Sequence, residues 1–366
     1  MLSGSVQAVL SYSREEASRA AEILGKKHES DWIPIYYRRE DGFLRSVLVP
    51  PSERFLEVSL SATIADAIYV LIGEVPTRQD AEMALLAEAS GAASQLVGQD
   101  PSFFAELSVS RGWTRVLSPI TGKPRELGYV CVDRLFPVKG VGPVALGFTF
   151  ASISVHQELR AIPSGKLLQV RSIQVLDEDQ EEVGLGIRVG LALKGAQMEE
   201  LQGTYALEVA EGSISVMSAR FSDAKIFRWA KTLPSRFHVL AGGLKTLGEL
   251  RQDVDQLSFA SPLPKGARAL LLDLDAGPKS SRVIGYLDLT HGGRNISFMP
   301  RGTRFASCIA FKCQISSTYG HLLELRRHDR SYLSSATFGH ALLVLDRNLT
   351  FFRIVAEASK KAAASA

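Results

Sequence analysis

Few of the reactive side chains in this 366-residue chain sit at spacings that chemistry needs. A phosphate-binding loop takes Gly-x-x-x-x-Gly-Lys-Ser/Thr. Its backbone N–H groups cradle phosphates, the Lys neutralises them and the hydroxyl ligates Mg²⁺. Gly-Lys pairs begin at Gly25, Gly122 and Gly165, and none is followed by Ser or Thr. Cys308-x₄-Cys313 with His321 offers zinc-type donors. A fourth ligand at regular spacing is missing, so these are read as buried strand thiols and no metal is expected. Gly140-x-Gly142 is not followed by a helical pattern, which removes a dinucleotide turn. No nucleophile-elbow motif is present. The remaining constellation is basic. Between His291 and Arg330 stand Arg294, Arg301, Arg304, Lys312, Arg326, Arg327 and Arg330, against only Glu324 and Asp329, with Phe298, Phe305, Phe311 and Tyr319 interleaved. That mix suits an RNA phosphate track with stacking groups. It equally suits a β-unit whose aromatic residues face the core and whose arginines are solvated.

The elements that would position such groups change character along the chain. Up to Ile120 there are 11 basic and 16 acidic residues, net −5; the remainder has 31 and 23, net +8. In the first part Ser5–Leu10 is a short apolar run. Arg14–Lys27 follows with Ala17, Ala20, Ala21 and Leu24 at helical spacing, and Gly25 is a stop signal. Leu44–Val49 reads as a strand ended by Pro50-Pro51, Ala65–Ile72 as a buried parallel strand, and Gln79–Ser90 as a helix. This is the start of a doubly wound α/β domain. After Leu127 the chain reads almost wholly as short strands cut by Gly and Pro, among them Leu167–Val175 and Ile187–Leu193. The acidic run Asp177–Glu182 between those two reads as a solvated hairpin tip. Hydrophobic residues at 46% and charged residues at 22% exclude a disordered or fibrous chain. Three cysteines argue for a reducing compartment, and no apolar run approaches the ~18 residues of a membrane span. A soluble cytoplasmic protein is expected, with no membrane or DNA partner.

Asp133-Arg-Leu-Phe-Pro-Val-Lys-Gly-Val-Gly142, with Val144 and Gly147 beyond it, resembles the opening of the second domain of translational GTPases. Val170–Val175, Gly186–Gly195 and Leu201-Gln-Gly203 continue the likeness over roughly eighty residues, an extent that makes the motif specific. The nearest resemblance is to SelB, the elongation factor for selenocysteyl-tRNA. Glu53-Arg-Phe55 and Ala65–Ile72 look like parts of that family's G-domain. The resemblance implies a degenerate P-loop-GTPase-like α/β domain followed by translation-factor β-barrels. The expected division is 1–121, a degenerate G-domain; 122–205, a Greek-key barrel; 206–290, a second barrel; and 291–366, a C-terminal β-unit. It also implies an aminoacyl pocket carried by Asp133, Arg134 and Arg188. Guanidinium groups stay charged and fork onto anions, and the Asp can orient an Arg. An Asp–Arg pair at a strand end beside an exposed strand Arg is the alternative for the same residues.

The nucleotide elements depart from the family together. The turn Ser11–Ser18 has no glycine, and Glu15-Glu16 would repel phosphate. Leu48 stands for the Mg²⁺-linked Asp. Pro51, which has no N–H, stands for the γ-phosphate Gly, and Ser52 for the water-positioning His. Asn-Lys-x-Asp is impossible, because Asn295 and Asn348 precede Ile and Leu. The chain is therefore expected to be a pseudo-GTPase without bound GTP or Mg²⁺, not an enzyme. The expected function is that of a SelB-like elongation factor paralogue binding tRNA or other structured RNA, with the ribosome as a further candidate partner. The alternatives are a protein-interaction scaffold built on the barrels and, third, an active GTPase.

Overall fold

A computed structural model describes residues 1–28, 33–98 and 112–289, together with the antiparallel pair Arg327–His328 and Ser331–Tyr332. Contacts divide the chain into two compact units, Met1–Arg294 and Asn295–Ala366.

The first sheet of unit one contains β1 (Ser3–Leu10), β2 (Lys26–His28), β3 (Ile35–Glu40), β4 (Phe43–Leu48), β5 (Ala67–Leu71), β6 (Ala93–Val97) and β7 (Gly112–Thr114). Their spatial order is β2-β3-β4-β1-β5-β6-β7. β4, β1, β5, β6 and β7 are parallel, while β3 and β2 add antiparallel at one edge. Helices α1 (Arg14–Leu24), α2 (Phe55–Ile64) and α3 (Arg78–Ser90) connect them. α1 buries the small-residue stripe Ala17, Ala20, Ala21 and Leu24, and it stops where glycine stands: Gly25 N–H closes on the Ala21 carbonyl. The expected continuation to Lys27 is replaced by β2, which leaves along the sheet edge. α3 is capped at both ends, by the Thr77–Asp80 capping box and by Gly91 in the left-handed region.

Two elements escape sequence reading. β3 is short and ends in the exposed residues Arg38, Arg39 and Glu40, so it shows little alternation. α2 has no side-chain N-cap, and none of its residues is exposed, its small polar Ser59, Ser61 and Thr63 included. Such a helix lacks a one-sided stripe because it is covered on both faces. α2 and α3 are indeed a middle layer. Val58, Ala62, Met83 and Leu86 share one core with Val239, Leu240, Leu271 and Ile284 of the third sheet.

The second sheet is closed. The strands of this region are β8 (Tyr129–Val138), β9 (Gly142–Thr149), β10 (Ile153–Ser154), β11 (Glu158–Ile162), β12 (Leu167–Val175), β13 (Glu178–Gln180), β14 (Glu182–Val183), β15 (Arg188–Lys194) and β16 (Ala206–Glu208). The order β11-β16-β8-β9-β15-β12 closes through a β11–β12 pairing, with β13 appended and β10–β14 a separate pair. The acidic tip lies at β13, where Glu178 is held by Arg39 of β3 rather than left wholly to solvent. Seven further strands between Ile214 and Asp288 form the third sheet, a half-barrel.

Polar seams join the three sheets. Arg282 grips the carboxylate of Glu82 in α3 at 2.6 and 3.0 Å and lies 3.6 Å from the centre of the Phe55 ring. Arg125 donates to the carbonyls of Thr63 and Ile64 at the end of α2, at 2.7 and 2.9 Å. The turn Gly242-Gly243 has positive φ at both residues, as a two-residue hairpin requires. It lies where all three sheets meet. The Tyr129 hydroxyl donates to the Gly242 carbonyl at 2.7 Å, and Gly243 N–H donates to Thr63 Oγ1 at 3.0 Å.

Candidate functional site

β8 and β9 lose register by one residue between Val132 and Arg134. The extra residue is Asp133, so a β-bulge lies at the centre of the Asp-Arg pair. Bulges re-aim side chains. Here Asp133 is only 3% exposed, and it receives the Arg188 guanidinium from β15, with Nε at 2.9 Å and Nη2 at 2.8 Å from the same Oδ2. The other carboxylate oxygen, Oδ1, is buried with no partner among the described residues. Burial pushes the Asp133 carboxyl above its usual range, and the Arg188 charge pulls it part of the way back.

Arg134 and Arg188 line one cleft of about 420 Å³, walled by Phe136, Val144, Leu146 and Leu176 of the barrel. Two of the three expected residues are thus brought to a common cavity. Asp133 lies behind Arg188 and does not line it. The first sheet contributes too: His28 of β2 and Tyr37 of β3 line the same cleft, and their rings meet edge to face at 5.5 Å. Burial raises the Tyr37 hydroxyl pKa, opposed by the charge of Arg188 and a hydrogen bond from it. No local signal identified these two residues, since only the fold brings β2 and β3 against β15. Ser172, Gln174 and Asp177 line it as well, so chemically the cleft is a mixed trough in which two guanidinium groups face one carboxylate. It can hold a small anionic group on an apolar stem.

The β1–α1 connection is three residues long, Ser11 to Ser13. Two N–H groups at this turn and one carbonyl are engaged locally. Ser13 N–H reaches Ser11 Oγ at 3.1 Å, Glu16 N–H reaches Ser13 Oγ at 3.3 Å, and the Ser52 hydroxyl donates to the Tyr12 carbonyl at 3.0 Å. The exposed Glu15 and Glu16 open the helix. With no glycine to wrap the backbone around phosphates and two carboxylates in the first helical turn, these residues do not fit a nucleoside triphosphate. Among the described residues no cluster of three His, Cys, Asp or Glu could hold a metal. Of the basic residues expected to meet RNA, Arg327 lies on the short strand pair, while Arg294, Arg301, Arg304, Lys312, Arg326 and Arg330 lie outside the described residues, as do Cys308, Cys313 and His321.

A mixed α/β sheet of this order, a closed barrel and a half-barrel together define the architecture of a translational GTPase. More narrowly, the fold is that of the selenocysteine-specific factor SelB. SelB from Methanococcus maripaludis matches in its apo form with a TM-score of 0.60 at 16% identity, over 78% of this chain and 79% of that one. Its complex with the GTP analogue GppNHp matches at 0.62 and 16%, over 80% of each. A bacterial selenocysteine-specific elongation factor matches at 0.63 and 15% identity, over 80% of this chain and 59% of that one. In sequence, an uncharacterized protein of Methanocaldococcus jannaschii is 46% identical over 71 residues, 19% of this chain and 23% of its own length. The selenocysteine-specific elongation factor of the same organism is 31% identical over 101 residues, 27% of this chain and 22% of its own length. The chain thus matches less than a quarter of the length of either curated relative. No family model matches it. No helix among the described residues is long and apolar enough to cross a membrane.

Proposed function

We infer that the chain is a SelB-like translation-factor paralogue that binds tRNA or another structured RNA and neither binds nor hydrolyses GTP. One observation carries the RNA half of this reading: Arg188, fixed from behind by the buried Asp133, shares a cleft with Arg134. A fixed, partly desolvated guanidinium discriminates an anionic group better than a mobile surface arginine does. The glycine-free β1–α1 turn, with Glu15 and Glu16 opening the helix, supports the nucleotide half. The cleft would receive the aminoacyl end of the RNA, its apolar wall taking the stem of the side chain. The ribosome and the cytoplasm belong to the same reading.

The test compares aminoacylated with bare tRNA. Arg188→Gln and Arg134→Gln should each reduce the preference for the charged form while leaving bare tRNA affinity within about twofold, the scale of a small surface effect. Equal loss for both forms would remove the pocket from the reading, and no RNA binding at all would favour a protein-interaction scaffold. Calorimetry with GTP, GDP and Mg²⁺ tests the other half. Binding no tighter than that of an inorganic polyphosphate is expected, and a guanine-selective micromolar site would restore an active GTPase.

A further inference from the structure

The third sheet carries a basic and aromatic edge that the cleft does not use. Ala224 to Gly248 is the longest stretch without Asp or Glu among the described residues, and it holds Lys225, Arg228, Lys231, Arg236 and Lys245. The next longest, Arg134 to Gln157, holds only Arg134 and Lys139. The first three form one group. Lys225 lies on a two-residue edge strand paired with Tyr286, and the chain then follows strand Val283–Asp288: Phe227 N–H donates to Ile284 O and Ser281 N–H to Trp229 O. A lysine on an edge strand is ordinary protection against strand addition. This edge differs in that its rings are covered by cations. Arg228 lies 4.7 Å and Lys231 5.8 Å from the Trp229 ring centre, and Lys225 lies 5.6 Å from that of Tyr286.

Stacking on a ring fixes a cation without neutralising it. Arg228, Lys225 and Lys231 are exposed, and no ion pair engages them among the described residues. Arg268 also covers Tyr286, at 4.4 Å, but is committed to Asp288 and serves as a wall. Asp223 is the acid just before the group in sequence, and Glu249 is the next after it. The chain is extended only at Lys225–Ile226 and turns over Arg228-Trp229, where Ala230 N–H donates to the Phe227 carbonyl at 3.0 Å. The result is a cluster of fixed positive charge with half-exposed aromatic faces behind it, a surface that a nucleic-acid backbone fits.

We propose that the edge Lys225–Lys231, backed by Tyr286 and Trp229, is a docking surface for an RNA backbone, separate from the Arg134–Arg188 cleft. It rests on the RNA reading above and adds a second contact to it. The experiment measures binding of a fluorescently labelled RNA stem-loop by the full chain across a salt series. Replacing Lys225, Arg228 and Lys231 together with Gln should lower the log–log salt slope by about 2–3, at ~0.7–0.9 per lost phosphate contact. A control chain carries Arg236→Gln and Lys245→Gln; Lys245 lies on a strand four removed from the edge strand. An unchanged slope in the triple variant, or an equal fall in the control, overturns the proposal while leaving RNA binding standing. Binding of heparin with the same slope change but no binding of RNA overturns both. Thermal melting of the variants should match that of the unaltered chain, since all five side chains are solvent-facing or partly so.

Discussion

At the scale of residues, the Asp133–Arg188 pair decides how the cleft responds to change. Removing one partner of a buried pair leaves an uncompensated charge and typically costs ~3–5 kcal/mol. Arg188 is 15% exposed and Asp133 can take up a proton, so Arg188→Gln should cost about 2–4 kcal/mol near neutral pH. The sign with pH follows from the carboxyl. Its folded pKa is raised, so its contribution to stability is complete below the ordinary Asp value and is lost as pH rises through the folded value. Without Arg188 the pKa should rise further. The deficit of Arg188→Gln should therefore shrink on acidification from neutral pH toward the ordinary Asp range, read by urea melts at a series of pH values. A deficit independent of pH would mean that Asp133 does not carry the charge. Cys131 sits on the same strand with its thiol pushed up to about 12 by burial, so at neutral pH it should react with alkylating reagents only after unfolding.

At the scale of elements, what could be read depended on whether the signal was local. β1, the stripe and glycine stop of α1, β5 and the capped α3 were all legible because period and punctuation lie within each segment. α2 was not legible, since burial on both faces erases its period. The Asp-Arg motif pointed to these positions, but not to the bulge that turns Asp133 inward and Arg134 toward the cleft. A bulge is a property of two strands, and the sequence of one does not state it. Tyr37 and His28 escaped for the same reason. The Gly242-Gly243 turn gives an element-scale prediction. A Cβ on Gly243 would stand 2.5 Å from the Cys131 sulfur and 2.9 Å from Ile64, at a φ of 81°. Left-handed backbone costs ~1–2 kcal/mol and overpacking ~1–3 more, so Gly243→Ala should destabilise by about 2–5 kcal/mol in denaturant melts. A neutral outcome would show that the three-way junction yields more than its packing implies.

At the scale of unit one, α2 and α3 belong to two cores at once. The first sheet covers one side and the third sheet the other, and Glu82 with Arg282 closes the seam, Glu82 being only 3% exposed. Cooperative unfolding across both sheets follows. Trp113 on β7 and Trp229 beside the third sheet are natural reporters; in chains retaining one of them, with Trp32 also replaced, the urea midpoints should coincide. Midpoints separated beyond error would mean that the seam is weaker than its burial indicates. The same middle layer has a consequence for synthesis. A nascent chain completes α3 at Ser90, but the strands that cover its outer side end at Asp288. At ~5–20 residues per second the remaining length takes roughly 10–40 s to emerge, and for that interval the outer faces of both helices stay bare. Such a chain should be an obligate client of holding chaperones early in translation, and slow codons placed between its first and third sheets should lower its soluble yield.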